Sequence, residues 1–335
     1  MTGSLDRWTI DRAAGWWEDQ PWMSGCNFVP STAVNQMEMW QAESFDPDTI
    51  DRELGWAAEL GFNTMRVFLH DLAWRIDRDG FLERVDRTLG ICAGHGIRMM
   101  PVLFDGVWRN HAHPGPQPEP IPGIHNSQWL QNPTSGVVVE PTAWLRFEQY
   151  VSVVIQAFGD DPRVVVWDLY NEPGNEGLLL NSLPFAEQVF QWARAAAPSQ
   201  PLTMGVWRYD GRVDELNEMQ LANSDVVTFH SYDPLDRTGE LVDELAARGR
   251  PMLCTEYMAR TAGSRFETHL PLFRERDVGA IHWGFVSGRT NTIFPWGSRY
   301  GASEPEEWFH DVLRSDGTAY SDAEVEVIRR VTGVG

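Results

Sequence analysis

Short apolar runs recur along the chain, each closed by a polar loop and followed by a segment whose apolar residues return every three or four positions. The runs are WMSGCNFV, FNTMRVFL, IRMMPVLF, RVVVWDLY, LTMGVW, DVVTFH, PMLCTE and GAIHWGF, which makes eight expected strands. They are apolar almost throughout instead of alternating, as strands buried on both faces are. Between them lie helical segments such as DPDTIDRELGWAAELG, where Asp46 is the expected N-cap, Pro47 opens the first turn and Gly61 stops the helix. PTAWLRFEQYVSVVIQAFG and LPFAEQVFQWARAAAP are two more. Buried strands alternating with helices predict a parallel sheet covered on its outer side, and eight such units close into a (β/α)8 barrel. No fixed-period repeat, low-complexity tract or dividing linker appears, so residues 1–335 are expected to form a single (β/α)8 domain.

Two connections are longer than linking requires. DGVWRNHAHPGPQPEPIPGIHNSQWLQNPTSGVVVEP follows the third strand and VSGRTNTIFPWGSRYGASEPEEW follows the eighth, and the prolines and glycines of the first forbid a long helix. Both leave C-terminal strand ends, the face on which such barrels build their sites.

Composition narrows the partners. Asp and Glu number 48 against 27 Lys and Arg, a formal charge of -21 that opposes binding to nucleic acid or to an anionic membrane. The N-terminal segment MTGSLDRWTIDRAAGWWEDQ carries charges where a secretory signal would need an apolar core, and no stretch is apolar for about 18 residues, so a cytoplasmic, soluble chain is expected. Cys26, Cys92 and Cys254 are isolated in apolar contexts and read as reduced, buried thiols without metal spacing.

Candidate chemistry lies at strand ends. Glu172 ends WDLYNEP and Glu256 ends LCTEY; carboxylates at an apolar barrel mouth are costly to desolvate without partners, which marks them as functional. Arg66, His230, Tyr232 and Trp283 end other strands at matching depth. Together these residues resemble a retaining glycoside hydrolase of clan A, close to family five and the cellulase-like enzymes: Arg ending strand two, Asn-Glu-Pro (Asn171, Glu172, Pro173) ending strand four, His-x-Tyr ending strand six, Glu ending strand seven and Trp ending strand eight. Each tripeptide alone is weak; five in register are not.

The resemblance implies that Glu172 is the general acid and base and Glu256 the nucleophile. It further implies that Arg66 and Tyr232 aim Glu256, Asn171 donates to the sugar 2-hydroxyl, His230 bonds sugar or carboxyl, and Trp283 is a platform for the pyranose. Retention asks for carboxyls about 5 to 5.5 Å apart. Asn27, which ends strand one, and His70 with Asp71, which follow strand two, are expected to bind hydroxyls, and Trp40, Trp108, Trp129, Trp207 and Trp296 are candidate subsite walls. His111, His113 and His125 share the third loop without the spacing of a zinc site, so the loop reads as a lid or subsite wall; no metal and no cofactor is expected.

Wording such as GCNFVPSTAVNQMEMWQ departs from that of familiar endoglucanases. The expected activity is exo cleavage of β-glycosidic bonds in short oligosaccharides or glycosides, in a pocket closed by the two long loops. Endo-acting glucanase, mannanase or xylanase action, transglycosylation, an inverting mechanism and a catalytically silent sugar-binding barrel are the competing readings.

Overall fold

In the computed structural model, which describes residues 6–334, all eight expected runs form parallel strands: β1 (Ser24–Asn27), β2 (Thr64–Phe68), β3 (Arg98–Val102), β4 (Trp167–Asp168), β5 (Leu202–Thr203), β6 (Val227–His230), β7 (Met252–Glu256) and β8 (Val278–Trp283). Their order around the sheet is β5-β4-β3-β2-β1-β8-β7-β6. The remaining seam between β5 and β6 closes through the parallel bridge Val206 to Phe229, with Val206 N–H donating to Thr228 O and His230 N–H donating to Val206 O. The chain is therefore a (β/α)8 barrel, as the alternation of buried strands and amphipathic helices requires.

Helix ends follow local chemistry. Pro47–Glu59 starts at Asp46, whose carboxylate accepts from the Thr49 N–H, and the chain leaves it through Gly61 at φ 77°, in the left-handed region a glycine enters freely. The expected segment from Pro141 divides into a 3-10 turn, Pro141–Ala143, and the helix Leu145–Phe158. Leu183–Ala196 forms as expected.

Period-2 alternation sorts side chains between two cores. Outward-facing residues such as Cys26, Met65, Trp167 and Phe229 join the helices in the main apolar layer, while Met23, Met100, Val166, Leu253 and Ile281 fill the barrel interior. The helix Ile10–Glu18 precedes the first strand, and its Trp16 and Trp17 pack against that inner cluster. The inner apolar packing thus fills the N-terminal part of the lumen, leaving the polar layer at the opposite, C-terminal end. The first five residues of the charged N-terminal segment lie outside the described residues, and among those described no helix is long and apolar enough to cross a membrane. All three cysteines are free and buried, and burial raises each thiol pKa.

Candidate active site

Arg66 is the hub of the polar layer. It points from β2 into the lumen, fully buried, and donates to four oxygens from three other strand ends: Asn27 Oδ1 at 2.7 Å, Asp168 Oδ2 at 2.9 Å, Asn171 Oδ1 at 2.7 Å and Glu256 Oε1 at 2.9 Å. A buried guanidinium is stable only with such pairing, and deleting one member of a buried pair costs about 3–5 kcal/mol. Asn27 is locked in turn by donating to the carbonyls of Thr255 and His282.

Both glutamates reach the lumen because their strands break alternation. In β7, Leu253 faces the interior and Cys254 the outer layer, so strict alternation would turn Glu256 outward. The pairing with β6 jumps from Phe229–Cys254 to His230–Glu256, leaving Thr255 as an extra residue, and this bulge returns Glu256 to the interior. After β4, Leu169 and Tyr170 both pack in the outer layer, and then Asn171 and Glu172 both face the pocket. Glu172 takes φ 48°, in the left-handed region that a non-glycine residue rarely occupies.

One oxygen of Glu172 and one of Glu256 lie within 4.8 Å of each other and of the His230 ring nitrogen. His230 Nδ1 lies 2.9 Å from Glu172 Oε1 and 3.5 Å from Glu256 Oε2. The Tyr232 hydroxyl donates to Glu256 Oε2 at 2.9 Å, and Asn175 Nδ2 donates to Glu172 Oε2 at 2.6 Å. Burial pushes Glu172 up to about 7, with Asn175 and Arg66 acting in the opposite direction. Burial also raises Glu256, while His230, Arg66 and Tyr232 favour its charged form. His230 is pushed down to about 4 by burial and is neutral at pH 7. The same three groups have the spacing of a cation site, but a guanidinium 2.9 Å from Glu256 opposes a second cation there.

Above the carboxyls opens a pocket of about 310 Å³, bounded by Trp129 and Trp283 on one side, by Trp207 and Tyr209 on another, and by Trp108, His125, Asn126 and Trp296 from the long loops. Those two loops are tied together: Asn126 N–H donates to Thr290 O, Asn291 Nδ2 to Ile121 O, and Gly301 N–H to Pro122 O.

A carboxyl pair at this spacing under a wall of tryptophans is the equipment of glycosidic bond cleavage, and the sequence bears this out: the family described as Cellulase (glycosyl hydrolase family 5) matches residues 32–285. The chain belongs to glycosyl hydrolase family 5. It is thereby an O-glycosyl hydrolase of the retaining clan A. No curated protein matches its sequence. Among solved structures, a GH5_18 protein from Streptomyces cattleya in complex with Manb1-4GlcNAc is 16% identical, with a TM-score of 0.66 over 92% of this chain and 80% of that one. The endo-beta-1,4-mannanase from Thermotoga petrophila is 14% identical, with a TM-score of 0.62 over 95% and 78%. The exo-beta-1,4-mannosidase Op5Man5 from Opitutaceae bacterium strain TAV5 is 19% identical, with a TM-score of 0.61 over 93% and 60%. At such identities the likeness is one of fold.

In this family 5 barrel, Glu172, Glu256, Asn171, His230, Tyr232, Trp283, Trp108, Trp207, Trp296 and Trp129 all line the pocket, and Arg66 lies beneath it. Asn27 lines a small neighbouring cavity and not the main pocket; it serves Arg66. Trp40 is wholly buried, its indole N–H donating to Phe68 O in the helix layer. His70 and Asp71, expected at the mouth, lie elsewhere. The chain turns outward after β2, His70 Nδ1 accepts from the Leu72 N–H to cap the helix Asp71–Ile76, and Asp71 faces Arg146 at 3.9 Å. His111 and His113 are outside the pocket, whereas His125 is in its wall.

Sequence reasoning missed Asp105 and Asp168. Asp168 is the buried partner of Arg66, and the alternation that puts Trp167 outward was sufficient to place it inward. Asp105, just past β3, accepts from Asn171 Nδ2, Trp129 Nε1, Gln36 Nε2 and the Val107 N–H. Burial raises its pKa, yet none of these four groups can accept a proton, so the geometry is that of a carboxylate. It fixes the Asn171 amide, whose oxygen faces Arg66, and leaves the second Nδ2 hydrogen free.

Proposed function

We propose that this chain is a retaining β-glycosidase in which Glu256 is the nucleophile and Glu172 the general acid and base. In the first step a Glu256 oxygen attacks the anomeric carbon while Glu172 gives its proton to the departing oxygen, leaving a glycosyl ester on Glu256. In the second, Glu172 takes a proton from water, which attacks the same carbon and releases Glu256. The observation that carries this reading is the carboxyl spacing, within 4.8 Å between nearest oxygens, with donors divided unequally. Inversion would need about 6.5 Å or more to admit a water. Arg66 and Tyr232 stabilise charge on Glu256, whereas burial keeps Glu172 protonated up to about 7.

These roles orient the substrate. The leaving group must lie beside the acid, towards Asn175 and Trp207, whose indole donates to Pro173 O next to Glu172. The sugar being transferred then lies beside Tyr232, Trp283 and Trp129, where the tied long loops wall the pocket. A wall on that side suits release of one terminal unit, so the proposed activity is exo cleavage of short β-linked oligosaccharides or glycosides. The mannanase, mannosidase and Manb1-4GlcNAc-bound neighbours make β-mannosides the first substrates to try.

A mechanism-based 2-fluoro-sugar should label Glu256, and Glu172→Ala should regain activity on an activated aryl glycoside when azide is added. A folded protein that shows neither would overturn the assignment. Product analysis on mannobiose, cellobiose and longer oligomers decides exo against endo action.

A further inference from the structure

Two adjacent side chains in the loop wall each leave a polar atom without a partner among the described residues, His125 Nε2 and Asn126 Oδ1. His125 Nδ1 lies 2.8 Å from the carbonyl oxygen of Phe294, which can only accept, so Nδ1 carries the hydrogen and Nε2 is a bare acceptor. Among the described residues no donor reaches that Nε2. Asn126 uses its backbone N–H on Thr290 O and its carbonyl on Trp129 N–H, while its side-chain amide bonds nothing. His125 is 8% exposed and Asn126 3%, and both line the pocket.

A buried polar atom without a partner, such as Asn126 Oδ1, is costly, and native structures keep such atoms where something else satisfies them; His125 Nε2 beside it is a pocket-lining acceptor that no protein donor engages among the described residues. Their setting says what that something is. Trp108 and Trp296 each pack edge-on against His125 with ring centroids 6.4 Å away, and they are 40% and 43% exposed. Trp296 also packs edge-on at 4.9 Å against Tyr232, whose hydroxyl bonds Glu256, so the cluster stands on the nucleophile's side. Flat apolar faces around a bare acceptor and a free amide match a ring that presents C–H faces and equatorial or axial hydroxyls. Burial holds His125 down to about 4, which keeps Nε2 unprotonated at neutral pH.

We propose that His125 and Asn126 are the specificity-determining pair for the transferred sugar: Nε2 accepts from one hydroxyl, the Asn126 amide bonds a neighbouring one, and Trp108 and Trp296 cover the ring between them. The orientation rests on the proposed roles of Glu172 and Glu256. Because the two groups are unpaired without sugar, a substrate lacking either hydroxyl leaves them so, and discrimination is strong.

The test is a cycle between protein and substrate. Asn126 has φ 44°, so Asn126→Gly removes the amide at a position where glycine is relaxed. His125→Phe keeps an aromatic ring at that place while removing Nε2 together with the Nδ1–H bonded to Phe294 O, and it too should lose the wild type's penalty for one deoxygenation. With 4-nitrophenyl β-mannoside, or whichever nitrophenyl β-glycoside is cleaved best, and its monodeoxy analogues, one deoxygenation should cost the wild type about tenfold or more in kcat/KM and cost Asn126→Gly about nothing. Equal penalties in both proteins would overturn the proposal. A second arm needs no turnover: in crystals of Glu172→Gln soaked with β-1,4-mannobiose or the matching disaccharide, sugar hydroxyls should lie within hydrogen-bond reach of His125 Nε2 and the Asn126 amide. Bound sugar that leaves both bonded only to water, or no bound sugar, counts against it. Failure of the catalytic assignment shows elsewhere, in an unlabelled Glu256 and an unrescued Glu172→Ala.

Discussion

Glu172 and Glu256 are the same residue type a few ångströms apart, and what separates them is their donors. Glu256 receives a guanidinium and a phenol, while Glu172 receives one amide, shares a hydrogen bond with the neutral His230 imidazole and sits in a site whose burial pushes it up to about 7. On the proposed roles, cleavage needs Glu172 protonated, so kcat/KM on an unactivated glycoside should fall through about pH 7 as that proton is lost. Glu172→Gln assayed on a dinitrophenyl glycoside, whose leaving group departs unaided, should show no such alkaline limb. A limb surviving at the same pH would assign it to another group.

At the level of elements, the site depends on two local departures from regular strand geometry: the Thr255 bulge in β7 and the left-handed Glu172 after β4. The second is held by the third loop. Gly106 N–H donates to Asn171 O, and a Cβ at Gly106 would lie 2.4 Å from the Glu172 carbonyl oxygen. Gly106→Ala must therefore push the strand end aside. The expected outcome is a loss of about 10- to 100-fold in kcat with the fold retained, read by kinetics beside circular dichroism. Unchanged kcat would show that the contact does not set the position of Glu172. The Asp46 cap and the Gly61 exit, by contrast, needed nothing beyond their own neighbours in sequence and formed as read.

Across the whole molecule, buried titratable groups oppose one another. Glu53 and Glu172 are raised by burial to about 7, and Asp71 and Asp311 to about 6. Their protons stay on in the folded chain after the unfolded chain has shed them near 4, so the stability they contribute is present at low pH and is lost as pH rises through 6 to 7. His70 and His282 are lowered to about 3, and His125 and His230 to about 4; their contribution is full above 6.5 and is lost as pH falls. The two slopes offset each other between about pH 4.5 and 6.5, and above that only the carboxyl slope remains. Tm should accordingly fall from about pH 6.5 to 8, and Glu53→Gln, far from the pocket beside Ser31, should flatten the fall. A Tm that rises over that interval, in either protein, would contradict the balance.

The eight strands, the helices covering them and the strand-end glutamates were legible in the sequence, because burial on both faces and period-3.6 amphipathicity are local patterns that the packing of a barrel merely collects. Which strand-end residues meet was decided only by closure. Arg66 binds oxygens from three other strand ends, Asp105 joins three separate segments, and His70 and Asp71 turn away because a helix cap claimed them first. Facing was decided there as well. Alternation alone would turn Glu256 outward, and one unpaired residue in β7 reverses that. Residue type and local period determine what a strand end carries; the register and bends that determine where it points arise from backbone pairing with strands distant in sequence.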